Sequence, residues 1–375
     1  MHKHLLRLTP LRFVAALFVV IFHYGGGVPP FDAPWSLPLA ESGSQAVSFF
    51  FCLSGFIMAT VYGGSHVSAR EYWMARIARI YPVYLLCAVI TYLFNHGSFK
   101  AIILQLSLLQ SWVPHYPLTI NAPGWSLSVE AFFYAIFPLL IVRFYRLGIA
   151  RVTVAVGLFW ILTQFIVSYC HSHFYGGYPS ISHDLLFYFP LMHLSEFLVG
   201  MLASMAFSRV SQRVSETHRF GIGIIVFLSG IGLTSLVSEV ASLFQFAIVV
   251  EDGYIVPIFA GIIWLVASLP TAWSWPLESR LLVTLGEASY ALYLLQYPAR
   301  LFFDRFIFPR FTAMGQTSHF YFFVAMLVVI SVLVYRYFER PLRSLVRRRA
   351  NLAGRGLASD HRRSPSGESL SVDSR

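Results

Sequence analysis

An arginine and a histidine interrupt the first apolar stretch of the chain, with ten residues between them. Leu11 and Arg12 are followed by Phe13 to Phe22 without a single polar side chain, and then by His23. A charged residue at mid-helix in lipid costs about 2.5–3.5 kcal/mol on insertion scales, and function is the usual reason for keeping one there. The imidazole, with an ordinary pKa of ~6.5, suits a general base that takes a proton from a hydroxyl. Each residue also has a structural reading: Arg12 as a snorkelling anchor, His23 as a buried, hydrogen-bonded histidine.

Further clusters carry chemistry of the same kind. Arg76-Ile77-Ala78-Arg79-Ile80-Tyr81-Pro82 places two arginines three residues apart, on one helix face. They serve either as topology anchors or as a fork of donors for phosphate. Gly124-Trp125-Ser126-Leu127-Ser128-Val129-Glu130 opens another apolar run. There Ser126 reads as a helix N-cap with Glu130 as a first-turn acid, and Trp125 fits an interfacial aromatic belt. Glu130 is also expected on the same side of the membrane as His23, where its carboxylate can orient the imidazole. Ser54-Gly55 reads as close helix packing. Glu196 needs a partner inside its apolar segment, and His193, three residues earlier, is the local candidate.

Elements long enough to position these residues must be membrane helices. The 375 residues are 57% hydrophobic and only 12% charged, with a mean hydropathy of +0.66, whereas a soluble domain carries about 25% charge. The fold expected is all-α and polytopic, with ten spans near 8–23, 44–62, 77–94, 128–143, 152–170, 185–207, 220–237, 253–269, 281–303 and 320–338. The stretch 101–112 is too short to span and reads as an interfacial or re-entrant piece. A retained first helix is expected, since no small-residue cleavage site follows it. Cys52, Cys87 and Cys170 lie in apolar segments without metal-ligand spacing, so no metal is expected.

The net charge of +10 is mostly topology. With the N-terminus cytoplasmic, ten spans put all but four of the 27 basic residues on the inner side; the exceptions are Lys100, Arg300, Arg305 and Arg310. Both termini are therefore expected in the cytoplasm. No basic stripe with interleaved aromatics sits on a polar domain, which excludes a nucleic-acid surface. Residues 1–345 form one membrane domain on this reading, and 346–375 a basic, Ser-rich, disordered tail. On this geometry Arg12 lies near the cytoplasmic end of the first helix and His23 roughly 16 Å further out.

These segments, in this order, resemble the membrane acyltransferase 3 family, the polytopic O-acyltransferases of surface polysaccharides. The resemblance rests on Arg12 with His23 and on Phe50, Phe51, Ser54, Gly55 and Phe56. It continues through Arg76, Arg79 and Pro82, then Trp125 to Glu130, then Glu196-Phe197 with Gly200. Leu285-Gly286, Ser289-Tyr290, Tyr293-Leu294 and Glu339-Arg340-Pro341 complete it, so that residues 7–345 are covered. The chain departs at Gln296, where many relatives carry histidine, and at His193, where arginine is common. It also ends too soon for the hydrolase-like domain that some relatives append.

The resemblance implies transfer of an acyl group, usually acetyl from cytoplasmic acetyl-CoA, to a sugar hydroxyl of an exopolysaccharide or lipopolysaccharide unit at a bacterial inner membrane. It implies His23 and Glu130 as the catalytic residues and Arg12, Arg76 and Arg79 as the CoA-binding set. Ser54, Trp125, Ser128, Glu196 and Tyr290 would line or support the substrate site. Acetyl-CoA would be a co-substrate, with no permanently bound cofactor; the partners would be the bilayer and a glycan or lipid-linked oligosaccharide. Two alternatives stay open: a small, macrolide-like acceptor, and a transporter of acyl groups or glycans that does no chemistry.

Overall fold

A computed structural model describes residues 3–63, 68–311 and 313–345. The expected tail at 346–375 lies outside the described residues. Ten helices carry the fold, and no strand occurs among the described residues. They are α1 (Lys3–Tyr24), α2 (Ala46–Tyr62), α3 (Ala69–Asn95), α4 (Trp125–Leu147) and α5 (Ile149–Phe174). Then follow α6 (Leu194–Ser211), α7 (Glu216–Leu243), α8 (Val256–Ser268), α9 (Arg280–Phe302) and α10 (Gln316–Val334). After α10 a π-turn at Tyr335–Glu339 carries the helical path on to residue 345.

Seven helices among the described residues are long and apolar enough to cross a membrane: α1, α2, α3, α4, α5, α7 and the α10 segment. The other three expected spans are helical as well, but differ in character. Helix α8 has only 13 residues. Helix α6 carries Glu196 and Arg209, and α9 carries Arg280, Glu287 and Arg300. The middle of α9, from Ala288 to Gln296, is largely buried, so its polar groups face protein instead of lipid.

Small residues let the helices approach closely. The tightest packing joins α2 to α6, where a Cβ on Gly55 would run into the Phe197 carbonyl and one on Gly200 into the Cys52 carbonyl. At the α1–α9 crossing, Gly286 abuts the Thr9 carbonyl in the same way. Above the α2–α6 contact, Phe133 of α4 stacks on Phe197 at 4.8 Å and meets Phe51 edge-on at 5.2 Å. That aromatic trio ties three helices into one core.

Side-chain bonds define the two ends of the bundle. At one end Arg7 pairs with Glu278 at 2.8 Å and donates to the Leu269 carbonyl, fixing the start of α1 to the α8–α9 connection. Arg343 reaches Glu287 at 3.8 Å at that same end. At the other, Asn95 donates to the Tyr297 hydroxyl at 3.1 Å and Tyr321 to the Pro29 carbonyl at 2.7 Å. Helices α1, α3 and α9 therefore run parallel, with α10 antiparallel to them.

Helix starts follow capping chemistry. Ser68 accepts from the Glu71 amide at 3.2 Å and begins α3, which sets Arg76 and Arg79 in its second and third turns. Helix α4 departs from expectation. It begins at Trp125 with Gly124 as N-cap, and Ser126 makes no cap bond. The expected short piece at 101–112 is a helix over Phe99–Leu106 and a turn over Gln110–Trp112, with Gln105, Gln110 and Ser111 buried against the bundle.

Enlarging either glycine at the α2–α6 crossing must separate two backbones. Gly200→Leu is expected to destabilise by about 1–3 kcal/mol through overpacking, lowering the thermal unfolding midpoint in detergent. Gly157→Ala on α5, where nothing stands within 4 Å of the new Cβ, should leave that midpoint unchanged or slightly raised. Equal midpoints for the two variants would refute the crossing as a stability determinant.

Candidate functional site

Residues from α1, α2, α3, α4 and α9 enclose a cavity of about 70 Å³ inside the bundle. Helix α2 supplies one wall through Val47, Phe50, Ser54 and Ile57, spaced three or four apart on one face, with Met58 beside them. Gly55, one position on, is turned by about 100° toward α6. The close crossing and the cavity wall thus share a single helix without conflict.

Three guanidiniums also line the cavity: Arg12 from α1, with Arg76 and Arg79 from α3. Arg76 lies over the rings of Tyr62 at 5.7 Å and Tyr134 at 5.6 Å. Its Nη1 contacts the Met58 sulfur at 3.3 Å and its Nη2 donates to the Tyr62 hydroxyl at 3.4 Å, while its buried Nε has no partner. Among the described residues, neither Arg12 nor Arg79 closes a hydrogen bond or an ion pair. Their charged neighbours, Glu130, Glu287 and Glu339, act on both from a distance. Guanidiniums carry five donors each, so the cavity presents a planar, largely unspent set suited to phosphate.

Glu130 belongs to this cavity. It accepts from Ser54 at 3.2 Å and from the Tyr134 hydroxyl one turn later. The expected partnership of Glu130 with His23 is not what the geometry shows. Because α4 begins at Trp125, two residues earlier than a Ser126 cap would set it, Glu130 lies about 7.5 Å beyond the helix start. Its carboxylate therefore meets α2 and the arginines instead of the membrane edge.

Helix α9 forms a polar ladder past the cavity. Tyr290 donates to the Ile80 carbonyl at 2.6 Å, next to Arg79 in sequence, and lines the cavity. One turn on, Tyr293 shares a 2.9 Å hydrogen bond with Ser126, and both line the cavity too. A further turn on, the buried Gln296 donates to the Tyr293 carbonyl at 2.8 Å and neighbours His23. His23 itself is at the surface of the bundle, with Nδ1 2.8 Å from the Val19 carbonyl. A carbonyl can only accept, so Nδ1 carries the proton and Nε2 is left with the lone pair of a neutral ring.

The structure thus gathers Arg12, Arg76, Arg79, Glu130, Ser54 and Tyr290 around one space and leaves four of the expected residues outside it. His23 is one of these four. Trp125 packs against Phe51, Tyr188 and His193. Ser128 donates to the Leu108 carbonyl at 2.6 Å. Glu196 pairs with His193 at 2.9 Å, the local partner anticipated, with both side chains buried. From the sequence, Ser126, Tyr293 and Glu339 stand out as a helix cap or as motif residues but not as site residues, and Tyr134 and Glu287 are not anticipated. Tyr134 follows Glu130 by four residues and Tyr293 follows Tyr290 by three, so helical spacing carried a signal for both.

The model of the acyltransferase 3 family, described as an acyltransferase domain, matches residues 7–336. Acyltransferase MdmB of Streptomyces mycarofaciens is 28% identical over 323 residues, covering 77% of each chain. O-acetyltransferase OatA of Staphylococcus aureus is 22% identical over 378 residues, covering 91% of this chain. The chain spans 57% of the length of OatA. A protein of Haemophilus influenzae without assigned function is 25% identical over 212 residues, covering 50% of this chain and 85% of that protein. No solved structure matches. An all-helical chain with seven membrane-length apolar helices, matched over residues 7–336, belongs to the acyltransferase 3 family and is a membrane acyltransferase.

Proposed function

We propose that the chain is an O-acetyltransferase of a bacterial inner membrane, moving acetyl from cytoplasmic acetyl-CoA to a sugar hydroxyl of an exopolysaccharide or lipopolysaccharide unit. The observation that carries this reading is the convergence of three guanidiniums with unspent donors on one cavity with an apolar wall. CoA is a polyanion joined to a thin apolar arm, and arginines beside an apolar wall suit the junction between those two chemistries. The similarity to OatA, an O-acetyltransferase by name, supports acetyl as the group moved. Ten spans with both ends in the cytoplasm would put the arginine end where acetyl-CoA is made.

In this reading Arg12, Arg76 and Arg79 hold the phosphates and Glu130 holds the arginine face in register through Ser54 and Tyr134. His23 Nε2 takes the proton from the sugar hydroxyl as its oxygen attacks the thioester carbonyl. The C–S bond then breaks, and the imidazolium returns the proton to the CoA thiolate. Counting along α9, the His23 level lies about 9 Å beyond Tyr290. The sugar hydroxyl must therefore meet the thioester between the Tyr293 level and His23.

Surface polysaccharide from cells with the wild-type protein is expected to gain one acetyl mass per modified unit, and cells with His23→Ala to lose it. Full acetylation by a stably inserted His23→Ala protein would sink the catalytic assignment, and a mass gain other than acetyl would replace the donor. Arg76→Ala and Arg79→Ala are each expected to raise KM for acetyl-CoA by roughly tenfold, with a smaller change in kcat, as loss of uniform binding does. Steady-state CoA release from membranes measures this; an unchanged KM removes the arginines from donor binding. For topology, single cysteines placed near Arg213 and near His115 should label from opposite sides of the membrane. Labelling from one side rejects the ten-span arrangement.

A further inference from the structure

We propose that Phe50, braced against Tyr293, is the wall that limits the length of the acyl group this protein accepts, an inference that rests on the acyl-CoA reading above. The cavity has a direction along α2. At Met58 the sulfur touches the Arg76 guanidinium at 3.3 Å. Eight residues earlier, about 12 Å along the helix, Phe50 meets the Tyr293 ring edge-on at 6.0 Å. Phosphates drawn to the arginine end leave the thioester arm only one way to point. The acyl group then arrives where Val47, Phe50 and Leu127 form the apolar lining.

Tyr293 is the fixed half of this wall, and Phe50, half-buried, packs against it. Tyr293 is buried, and its hydroxyl is held by Ser126 at 2.9 Å. Phe50 is backed by Phe49 at 6.2 Å, which is itself edge-on to Phe259 of α8 at 5.5 Å. A methyl group needs only a shallow recess at such a wall, whereas each added methylene must displace a braced aromatic ring. Close-packed interiors resist that displacement. The recess also lies one turn of α9 short of Gln296 and His23, so a short acyl group is presented toward the base instead of being folded away from it.

Equilibrium binding of CoA, acetyl-CoA, butyryl-CoA and hexanoyl-CoA to the purified full-length protein in detergent tests this, each affinity being taken relative to CoA in the same variant. The wild type is expected to prefer acetyl over hexanoyl by at least roughly tenfold, the scale of methylene discrimination in an apolar pocket. Phe50→Ala should shift that ratio toward hexanoyl by roughly tenfold or more. Phe50→Trp should move it the opposite way and weaken butyryl-CoA first. A general loss of packing cannot produce opposite shifts in the two variants, and Phe50→Trp remains informative if Phe50→Ala does not fold. An acyl preference that is absent in the wild type, or identical in all three proteins, overturns the assignment of Phe50 while leaving the donor reading intact. A wild-type protein that binds neither CoA nor acetyl-CoA overturns both.

Discussion

Three guanidiniums are held inside an apolar bundle without an ion pair to close any of them, and the arrangement of the helices answers to that constraint. A buried cation without compensation is expensive, and in low dielectric a carboxylate several ångströms away still contributes. Glu130 from α4, Glu287 from α9 and Glu339 from the π-turn after α10 surround Arg12 and Arg79 in this way. Three helices thus bring their acids to the end where α1 and α3 bring their arginines. Direct pairing would stabilise each charge more but would consume the donors. The separation leaves the donors free while the three acids still act on the charge of the arginines.

The glycine crossing beneath the cavity serves the same end. Where Gly55 and Gly200 let α2 and α6 touch backbone to backbone, Ser54 is turned toward the cavity and reaches Glu130. Ser54-Gly55 is therefore one device with two outputs, a tight contact on one side and a polar wall on the next. The aromatic trio Phe51, Phe133 and Phe197 keeps α4 in position over that contact. Packing and site geometry are set together here, and neither can drift without the other.

The arginines were legible in the sequence because charges in apolar runs stand out, and their common end followed from counting basic residues between spans. Glu196 and His193 were legible as a pair because helical spacing alone brings them together. Glu130 was legible as a site residue but not in its partner, since that depended on where α4 begins. Gly124, not Ser126, caps the helix, which sets Glu130 two residues deeper in it. Glu339 was visible only as part of a motif, because a π-turn sets its direction and periodicity rules assume none. The number of spans was the least legible feature. Helix α8 is short, α6 and α9 carry charges, and all three are largely covered by their neighbours, so hydropathy alone does not mark them.

Helix α1 bears both Arg12 and His23, eleven residues apart. Eleven residues make just over three turns, which returns the second side chain to within about 20° of the first. Both therefore face α9, one beside the cavity and the other beside Gln296. A single continuous helix makes their separation a fixed length that no rotation or tilt of α1 can alter. The helix acts as a yardstick. In the proposed roles, a molecule gripped at the arginine and consumed at the imidazole must itself have the reach to match, and its cargo would be selected by that reach before any chemistry begins.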